Sequence, residues 1–473
     1  MKILILGAGR VGESVAESLA SEKNDITVID TAPERLSALQ DRLDLRGVVG
    51  NGVQPSVLEA AGAADADMLI ACAPLDETNL VACKIAYERF GIQTRIARVR
   101  SPEFAGDDNA LLDKKGFAVD EVICPEESLT TYIRKLIEHP EALQVLEFAG
   151  GSVSLIAVRA VAGGPLVGHV ISELPQLVPD LPMRIVAIYR RDVYGQDRPV
   201  VCDGTTRIEP GDELFVLAAR EHIRGVLVAL HKRSDPVRRV IVAGGGRVGL
   251  RLARQIAGSC QVKIIESSAA RCEYLSTELA GRALVLRGDS TDEELLGDEN
   301  VQDTDLFLAL TSDDEDNIMS CLLAKRMGAR RVLALINRRA YADLVQGEGT
   351  QIDIAISPAQ AVIGELLAHV RRGDVAAVYS LRRGAAEALE AVARGDAKSS
   401  QVVGRRLDEL KLPDGAQIGA IVRGVGDADD PRVIIPHHDT AIVGGDHVVI
   451  FLPRKRMVRQ IEKLFQPSAT FLF

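Results

Sequence analysis

A glycine-rich hexapeptide occurs twice in this chain and constrains its fold more than any other feature. The first copy is Gly7-Ala8-Gly9-Arg10-Val11-Gly12, and the second, Gly244-Gly245-Gly246-Arg247-Val248-Gly249, begins 237 positions later. Each copy follows an apolar run, residues 3–6 or 240–243, and precedes a helical pattern. One GxGxxG motif is a weak signal, but two copies in the same strand–turn–helix context predict an internal duplication.

A carboxylate ends the next apolar run in each copy, at Asp30 and at Glu266. In a dinucleotide-binding Rossmann unit this acid accepts hydrogen bonds from the adenosine ribose and repels the 2′-phosphate of NADP. The glycines allow a tight bend and a close approach of pyrophosphate to the helix N-terminus. Within the same loops, Arg10 and Arg247 are candidate phosphate contacts, and Val11 and Val248 are further candidate ligand contacts. The pattern therefore favours NAD(H) or an adenine nucleotide, although a structural turn that binds no phosphate is the alternative.

After the glycine-rich hexapeptide and the acid, each half continues to alternate strands and helices and then becomes rich in short strands. The sequence predicts an α/β protein with two Rossmann-like, doubly wound parallel sheets, each followed by a small β-rich α+β domain. We name the predicted segments N1 (1–125), C1 (126–232), N2 (237–357) and C2 (358–457), where C1 and C2 each begin with a crossover helix. We expect a linker at 232–236, and a helix or loop insert in the Ala- and Glu-rich stretch 385–398.

Polar residues stand where the third and fourth strands of each Rossmann unit are expected to end. Asn51, Gly52 and Asp289 follow the third strands, and the stretches 76–79 and 313–317 follow the fourth. The carboxyl ends of parallel strands line the ligand crevice, so these residues are candidate ligand contacts. Helix capping is an equally good reading of the two acidic stretches.

Two arginines distinguish the first half from the second. Arg98 and Arg100 lie near the end of the fifth strand, where they are candidate phosphate contacts. Aligning the two halves places Leu335 and Asn337 opposite them. If the arginines bind phosphate, the two sites differ in affinity or in ligand.

Composition and residue spacing argue against nucleic-acid binding, metal binding and dehydrogenase chemistry. The net charge of −11 argues against non-specific nucleic-acid binding, and the seven cysteines and eight histidines show no metal-ligand spacing. No histidine falls in the crevice-forming loops, where a dehydrogenase would usually need an acid–base group. With no apolar run of membrane-spanning length and no signal peptide, we expect a cytoplasmic protein.

The combination of the first hexapeptide, Asp30, the Gly50-Asn51-Gly52 turn, the stretch 76–79 and a small domain containing Gly-Asp-Glu-Leu resembles the regulator of potassium conductance (RCK) domains. Their tandem order over essentially the whole chain resembles the peripheral nucleotide-binding subunits of Trk potassium-uptake systems. The resemblance implies a non-enzymatic regulatory subunit that binds NAD(H) and ATP or ADP in its Rossmann crevices.

The resemblance further implies assembly as a homo-oligomer, for a tandem chain a tetramer, on the cytoplasmic face of the inner membrane. There it would gate a membrane potassium-translocating subunit, with no nucleic-acid partner. Two other hypotheses stay open at this point: an NAD-dependent oxidoreductase with two Rossmann domains, and a stand-alone redox or nucleotide sensor acting on another protein.

Overall fold

The computed structural model describes residues 1–20, 24–101, 104, 110–192, 197–231, 235–345, 352–370, 375–381, 386–426 and 431–466. The chain divides into two compact units, each drawn from both halves of the sequence. Met1–Thr131 and Arg239–Ile363 form the first unit, and Tyr132–Arg238 and Gly364–Phe473 form the second. The four segment boundaries stay a prediction, and residues 232–234 of the expected linker lie outside the described part.

N1 contains a six-stranded parallel sheet in the order β3-β2-β1-β4-β5-β6. Its central strands are apolar on both faces because helices cover both sides, as in other doubly wound sheets. Its strands are β1 (Lys2–Leu6), β2 (Asp25–Asp30), β3 (Arg46–Val49), β4 (Met68–Ala71), β5 (Thr94–Arg98) and β6 (Glu121–Ile123). Its helices are α1 (Arg10–Ala20), α2 (Pro33–Gln40), α3 (Pro55–Ala60), α4 (Asp76–Phe90) and the crossover helix α5 (Pro125–Glu138).

C1 contains a five-stranded antiparallel sheet in the order β10-β9-β11-β8-β7. Its strands are β7 (Ala142–Phe148), β8 (Val153–Arg159), β9 (Met183–Arg191), β10 (Asp197–Val200) and β11 (Glu213–Ala219). Two short helices accompany the sheet, α6 (Leu174–Leu177) and α7 (Ile223–Leu230).

N2 repeats the N1 topology with the strand order β14-β13-β12-β15-β16-β17. Its strands are β12 (Arg239–Ala243), β13 (Gln261–Glu266), β14 (Leu284–Arg287), β15 (Leu306–Ala309), β16 (Arg331–Leu335) and β17 (Ile354–Ile356). Its helices are α8 (Arg247–Ile256), α9 (Ala269–Leu279), α10 (Glu293–Asp298), α11 (Asp314–Arg326), α12 (Arg339–Val345) and the crossover helix α13 (Pro358–Val370).

C2 repeats the C1 topology with the order β18-β19-β22-β20-β21. Its elements are β18 (Val375–Leu381), β19 (Ala386–Val392), β20 (Gln417–Arg423), β21 (Arg432–Ile434), β22 (His447–Leu452) and α14 (Val458–Phe465). The predicted fold class, two doubly wound parallel sheets each followed by a small β-rich domain, is therefore confirmed. No helix in the described part of the chain is both long enough and apolar enough to cross a membrane.

The expectation of a helix or loop insert at 385–398 is wrong for the described residues 386–392, which form β19. Alanine and glutamate favour helices, but β19 lies between β18 and β22 and is buried along most of its length. Tertiary pairing overrides the local propensity, because an interior strand is selected by packing on its two faces. Residue 385 lies outside the described part.

The sheets of C1 and C2 share one hydrophobic core. Phe148, Phe215 and Leu217 of C1 pack in the same buried cluster as Ala420 and Phe451 of C2. The rings of Phe215 and Phe451 lie 6.3 Å apart between centroids. The opposite face of the C1 sheet packs against its own helix α7 in a separate cluster. Each small domain therefore needs the other to cover one face of its sheet.

A buried ion pair recurs in the two small domains. Asp212 accepts hydrogen bonds from Nε and Nη2 of Arg190 at 2.8 and 2.9 Å. Asp446 accepts the same two bonds from Arg423 at 2.7 and 2.8 Å, and a third from the Val443 N–H at 2.8 Å. Both aspartate side chains are fully buried. The Gly-Asp pair before the last strand is therefore a structural element of each small domain.

We expect Asp446→Ala to lower the free energy of unfolding by about 3 kcal/mol, because it leaves a guanidinium group and a backbone N–H without their acceptor. The matched control is Asp408→Ala, which breaks an exposed pair with Arg406 and should change stability little. The urea midpoint of the full chain measures both. Equal midpoints for the two variants would contradict the structural role of Asp446.

Candidate functional site

Two glycines of each hexapeptide are required by the backbone itself. Gly7 has φ +102°, and a Cβ there would lie 3.0 Å from the carbonyl carbon of Cys72. A Cβ on Gly12 would lie 1.9 Å from the Gly7 oxygen. Gly244 has φ +103°, and a Cβ on Gly249 would lie 2.2 Å from its oxygen. These four glycines hold the turn against the sheet, which is a structural role.

The middle glycine of each hexapeptide is different. A Cβ on Gly9 or on Gly246 would meet no described atom within 4 Å, and neither residue has a positive φ. A side chain at either position would therefore project into open space above the turn. That space is where the pyrophosphate lies when a Rossmann turn is occupied, so these two glycines are the ones a ligand would need.

Helices α1 and α8 begin at Arg10 and Arg247, so the first N–H groups of each helix have no partner within the helix and face the turn. The side chain of Val11 is only 6% exposed and packs into the core, so any contact with a ligand would use its backbone. Val248 is half-buried, and both arginine side chains are exposed. The predicted contacts at these four positions remain predictions.

The two acids at the ends of β2 and β13 bind the glycine turns. Asp30 accepts the Ala8 N–H at 2.6 Å and the N–H two residues after itself at 2.8 Å. Glu266 accepts the Gly245 N–H at 2.9 Å and, again, the N–H two residues further at 2.9 Å. Each acid therefore fixes the shape of the turn whether or not it also binds a ribose.

The polar residues after β3 and β14 have mainly local partners. Asn51 is exposed and its Oδ1 accepts the Val53 N–H at 3.2 Å. Asp289 is also exposed, and the backbone N–H and the hydroxyl of Thr291 lower the pKa of its carboxyl. Gly52 is buried, and a Cβ there would come within 2.3 Å of a Leu6 side-chain carbon. Gly52 is thus fixed by packing, whereas the side chains of Asn51 and Asp289 reach solvent.

The acidic stretches at the start of α4 and α11 differ in helix capping: the N-cap of α4, Leu75, makes no side-chain cap, whereas Asp313 caps α11 by accepting the Asp316 N–H at 3.0 Å.

Other side chains of these stretches bond to the neighbouring strand ends. Asn79 is fully buried, and its Nδ2 donates to the Ala73 oxygen at 3.0 Å and to the Arg98 oxygen at 2.8 Å. Asp76 accepts the Arg100 N–H at 2.9 Å. These side chains join the end of β4 to the end of β5.

N2 repeats these bonds with different residues at the end of the fifth strand. Asn317 donates to the Leu335 oxygen at 2.9 Å, and Asp314 accepts the Asn337 N–H at 2.9 Å. The hydrogen bonds therefore confirm the alignment of Arg98 with Leu335 and of Arg100 with Asn337. The scaffold is the same in both halves, and the side chains displayed on it differ.

Arg98 and Arg100 form the most unusual electrostatic feature of the N1 crevice. Arg98 Nη2 and Arg100 Nε each lie 3.3 Å from Oε1 of Glu126, the second residue of α5. The Nε of each guanidinium group is buried and donates no hydrogen bond to any described residue. The pKa of Arg100 is lowered, first by burial and then by Arg98, with a further contribution from Arg247. At this edge of the sheet, two guanidinium groups thus share a single carboxylate as their ion-pair partner.

The sequence patterns did not indicate that N2 and helix α5 contribute side chains to the surroundings of Arg98 and Arg100. Arg251 of α8 donates to Cys124 Sγ at 3.4 Å and lies 3.3 Å from a Glu127 carboxylate oxygen, so N2 contacts N1 beside α5. This contact between N1 and N2 explains why the charge of Arg247 contributes to the lowered pKa of Arg100. The only sequence signal for Glu126 was an acid at the start of the crossover helix, 28 residues after Arg98.

We also considered a reactive thiol and a metal site among the described residues. Burial raises the pKa of the Cys72 thiol, beside the first turn, to about 12, which makes it a poor nucleophile. Among the described residues, no group of three or more His, Cys, Asp or Glu side chains could hold a metal ion.

Comparisons with known proteins agree with this architecture. The family model for the TrkA-N domain matches residues 3–125 and 240–358. The family model for the TrkA-C domain matches residues 155–231 and 396–466. Together they cover most of the chain in the N1–C1–N2–C2 order.

Full-length relatives and solved structures extend the match. The Trk system potassium uptake protein TrkA of Halomonas elongata is 52% identical over 471 residues, with all of both chains covered. A crystal structure of the GsuK RCK domain is 16% identical with a TM-score of 0.59, covering 98% of this chain and 94% of that one. The GsuK channel bound to NAD gives the same identity and TM-score, with 98% and 78% covered. The fold is therefore that of RCK domains, and the chain belongs to the TrkA family of Trk potassium-uptake systems.

Proposed function

We propose that this chain is the nucleotide-sensing regulatory subunit of a Trk-type potassium transporter. It binds NAD(H) and ATP or ADP in its Rossmann crevices and has no catalytic reaction of its own. Nucleotide exchange shifts the protein between conformations, and that shift gates potassium flux through a membrane partner. A ligand can drive such a gate only by binding one conformation more tightly than the other.

The observation that carries this proposal is the arginine cluster beside the first glycine turn. Arg98 and Arg100 share one Glu126 carboxylate, and the Nε of each is buried and makes no hydrogen bond to a described residue. Buried donors of this kind are costly unless a ligand satisfies them. A phosphate group supplies both the negative charge and the acceptor oxygens that a guanidinium group prefers.

The comparisons support the same proposal. The relative in Halomonas elongata is named as a potassium-uptake protein, and one GsuK structure is described as bound to NAD. We extend both properties to this chain. These names favour a regulatory subunit over the oxidoreductase and stand-alone-sensor hypotheses. We further propose that the chain assembles as a homotetramer and acts at the cytoplasmic face of the inner membrane, on the membrane subunit that translocates potassium.

The experiment that tests nucleotide binding is a thermal-shift panel with NAD, NADH, NADP, ATP and ADP. A ligand at about 100 times its dissociation constant stabilises the protein by roughly 2.7 kcal/mol. We expect stabilisation of the wild type by NAD(H) and adenine nucleotides, and a clearly smaller shift with Gly9→Val, because the valine side chain fills the open space above the turn.

Gly258→Val is the matched control for this panel. Gly258 also has open space around its Cβ position and no positive φ, but it follows α8, outside the crevice. Its response to nucleotides should equal that of the wild type. Absence of any shift in the wild type would refute nucleotide sensing.

We expect Arg100→Ala to weaken ADP binding at least about tenfold, because one charged hydrogen bond to phosphate is worth roughly 1.5–3 kcal/mol. Adenosine, which carries no phosphate, should bind the variant as it binds the wild type. Isothermal titration of the full chain with both ligands gives the comparison. An equal loss for adenosine would assign Arg100 a structural role instead.

We expect the chain to restore growth at low potassium in bacterial cells that lack their own TrkA but retain the Trk membrane subunit. Gly9→Val should fail to restore growth while Gly258→Val succeeds, because only the first removes nucleotide control. The measurement is potassium uptake, with immunoblotting to confirm equal amounts of each variant. Full uptake with Gly9→Val would separate potassium transport from the first crevice.

A further inference from the structure

The two Rossmann crevices have the same backbone scaffold but different charges. The bonds from Asn79 to Arg98 and from Asn317 to Leu335 place these strand ends in equivalent positions. Where N1 presents a guanidinium group, N2 presents the apolar side chain of Leu335. The phosphate end of the second crevice therefore lacks one cation that the first one has.

The neighbouring position shows the same change. Asn337 stands where N1 has Arg100, and its side-chain Nδ2 already donates to Asp314 Oδ1 at 2.9 Å. The next residue, Arg338, lies 2.7 Å from Glu315 Oε1 and donates to the Tyr341 hydroxyl at 3.0 Å. Its charge is thus balanced on the exposed surface at α11 and α12.

The second crevice has acidic residues at positions where the first crevice has neutral ones. Asp289 follows Gly288, and this glycine donates to the Glu266 oxygen at 3.1 Å just as Gly50 donates to the Asp30 oxygen in N1. Asp289 therefore stands where N1 has Asn51.

The N-terminus of α11 carries the other two acids. Asp313 is the N-cap of α11, in the place of Leu75 before α4, and Asp316 precedes Asn317 as Thr78 precedes Asn79.

These three acids lie close enough to interact. The pKa of Asp316 is raised, first by burial and then by the charges of Asp313, Asp289 and Glu315. Asp313 Oδ1 also accepts the Asp316 N–H at 3.0 Å. An anion entering this crevice therefore meets three carboxylates at positions where N1 has neutral side chains, and each additional negative charge on the ligand increases the repulsion from them.

We propose that the second crevice selects a dinucleotide of the NAD(H) class and discriminates against nucleoside triphosphates, which bind in the first crevice. The inference rests on the proposed function and adds a division of ligands between the two sites. A dinucleotide carries a single pyrophosphate diester, which the glycine turn and the N-terminus of α8 can accept without arginines. A triphosphate carries more charge and needs cations such as Arg98 and Arg100.

Two variants of the full chain isolate the two sites. Gly246→Val leaves only the first crevice open, and Gly9→Val leaves only the second, because each valine occupies the open space above its turn. Gly258→Val again serves as the control. Isothermal titration with AMP, ADP, ATP and NAD should show affinity rising from AMP to ATP in Gly246→Val. In Gly9→Val, ATP should bind at least tenfold more weakly than NAD.

A charge transfer tests the cause of this difference. Adding Leu335→Arg and Asn337→Arg to the Gly9→Val chain should tighten ATP binding about tenfold or more, since each restores a charged contact with phosphate. AMP binding should change much less. Leu284→Arg adds a positive charge at the start of β14, the end of the strand opposite the crevice, and should leave ATP binding as it was.

The wild type provides a test that needs no variant to fold. With ATP saturating the first crevice, NAD should still bind at one site per chain. Loss of all NAD binding under ATP, equal ranking of ATP over NAD in both isolated crevices, or an empty second crevice would each overturn the inference. Failure of every nucleotide to bind the wild type would instead refute the proposed function, and with it this division of ligands.

Discussion

A single buried asparagine in each Rossmann domain joins the ends of the two strands on which the candidate site depends. Asn79 bridges Ala73, two residues after β4, to the last residue of β5, and Asn317 repeats the bridge in N2. Both side chains are fully buried, so their amide groups are satisfied only if the two strand ends stay together. This constraint fixes where residues 98 and 100 stand, and therefore where charge can be presented to a ligand.

The scaffold and the charges displayed on it have separate physical origins. Gly7 and Gly12 are required because a Cβ at either position would lie too close to neighbouring backbone atoms. The acids at the ends of β2 and β13 are held by hydrogen bonds from backbone N–H groups of the turn. Both sets recur in the two halves. By contrast, the bonds that recur at Arg98, Arg100 and their counterparts in N2 are made to backbone atoms, so the side chains at these positions differ between the halves while the scaffold stays the same.

The sequence was sufficient to predict the parts of the structure that depend on local spacing. The two hexapeptides, the acids after the second strands and the alternation of strands and helices all encode Rossmann geometry within short segments. The β19 strand could not be predicted in this way, because its Ala- and Glu-rich residues favour a helix until β18 and β22 enclose them. The partner of Arg98 and Arg100 was missed for a related reason: Glu126 lies far along the chain and on another element.

The hydrophobic core common to C1 and C2 has a consequence for the history and the chemistry of the tandem chain. Two separate polypeptides that share such a core pair only when they meet in solution, whereas the halves of one polypeptide are tethered, which raises the effective concentration at which they pair. In a symmetric dimer every substitution appears on both sides of the axis. Here a substitution appears once, so one half can keep an arginine at the strand end while the other holds a leucine.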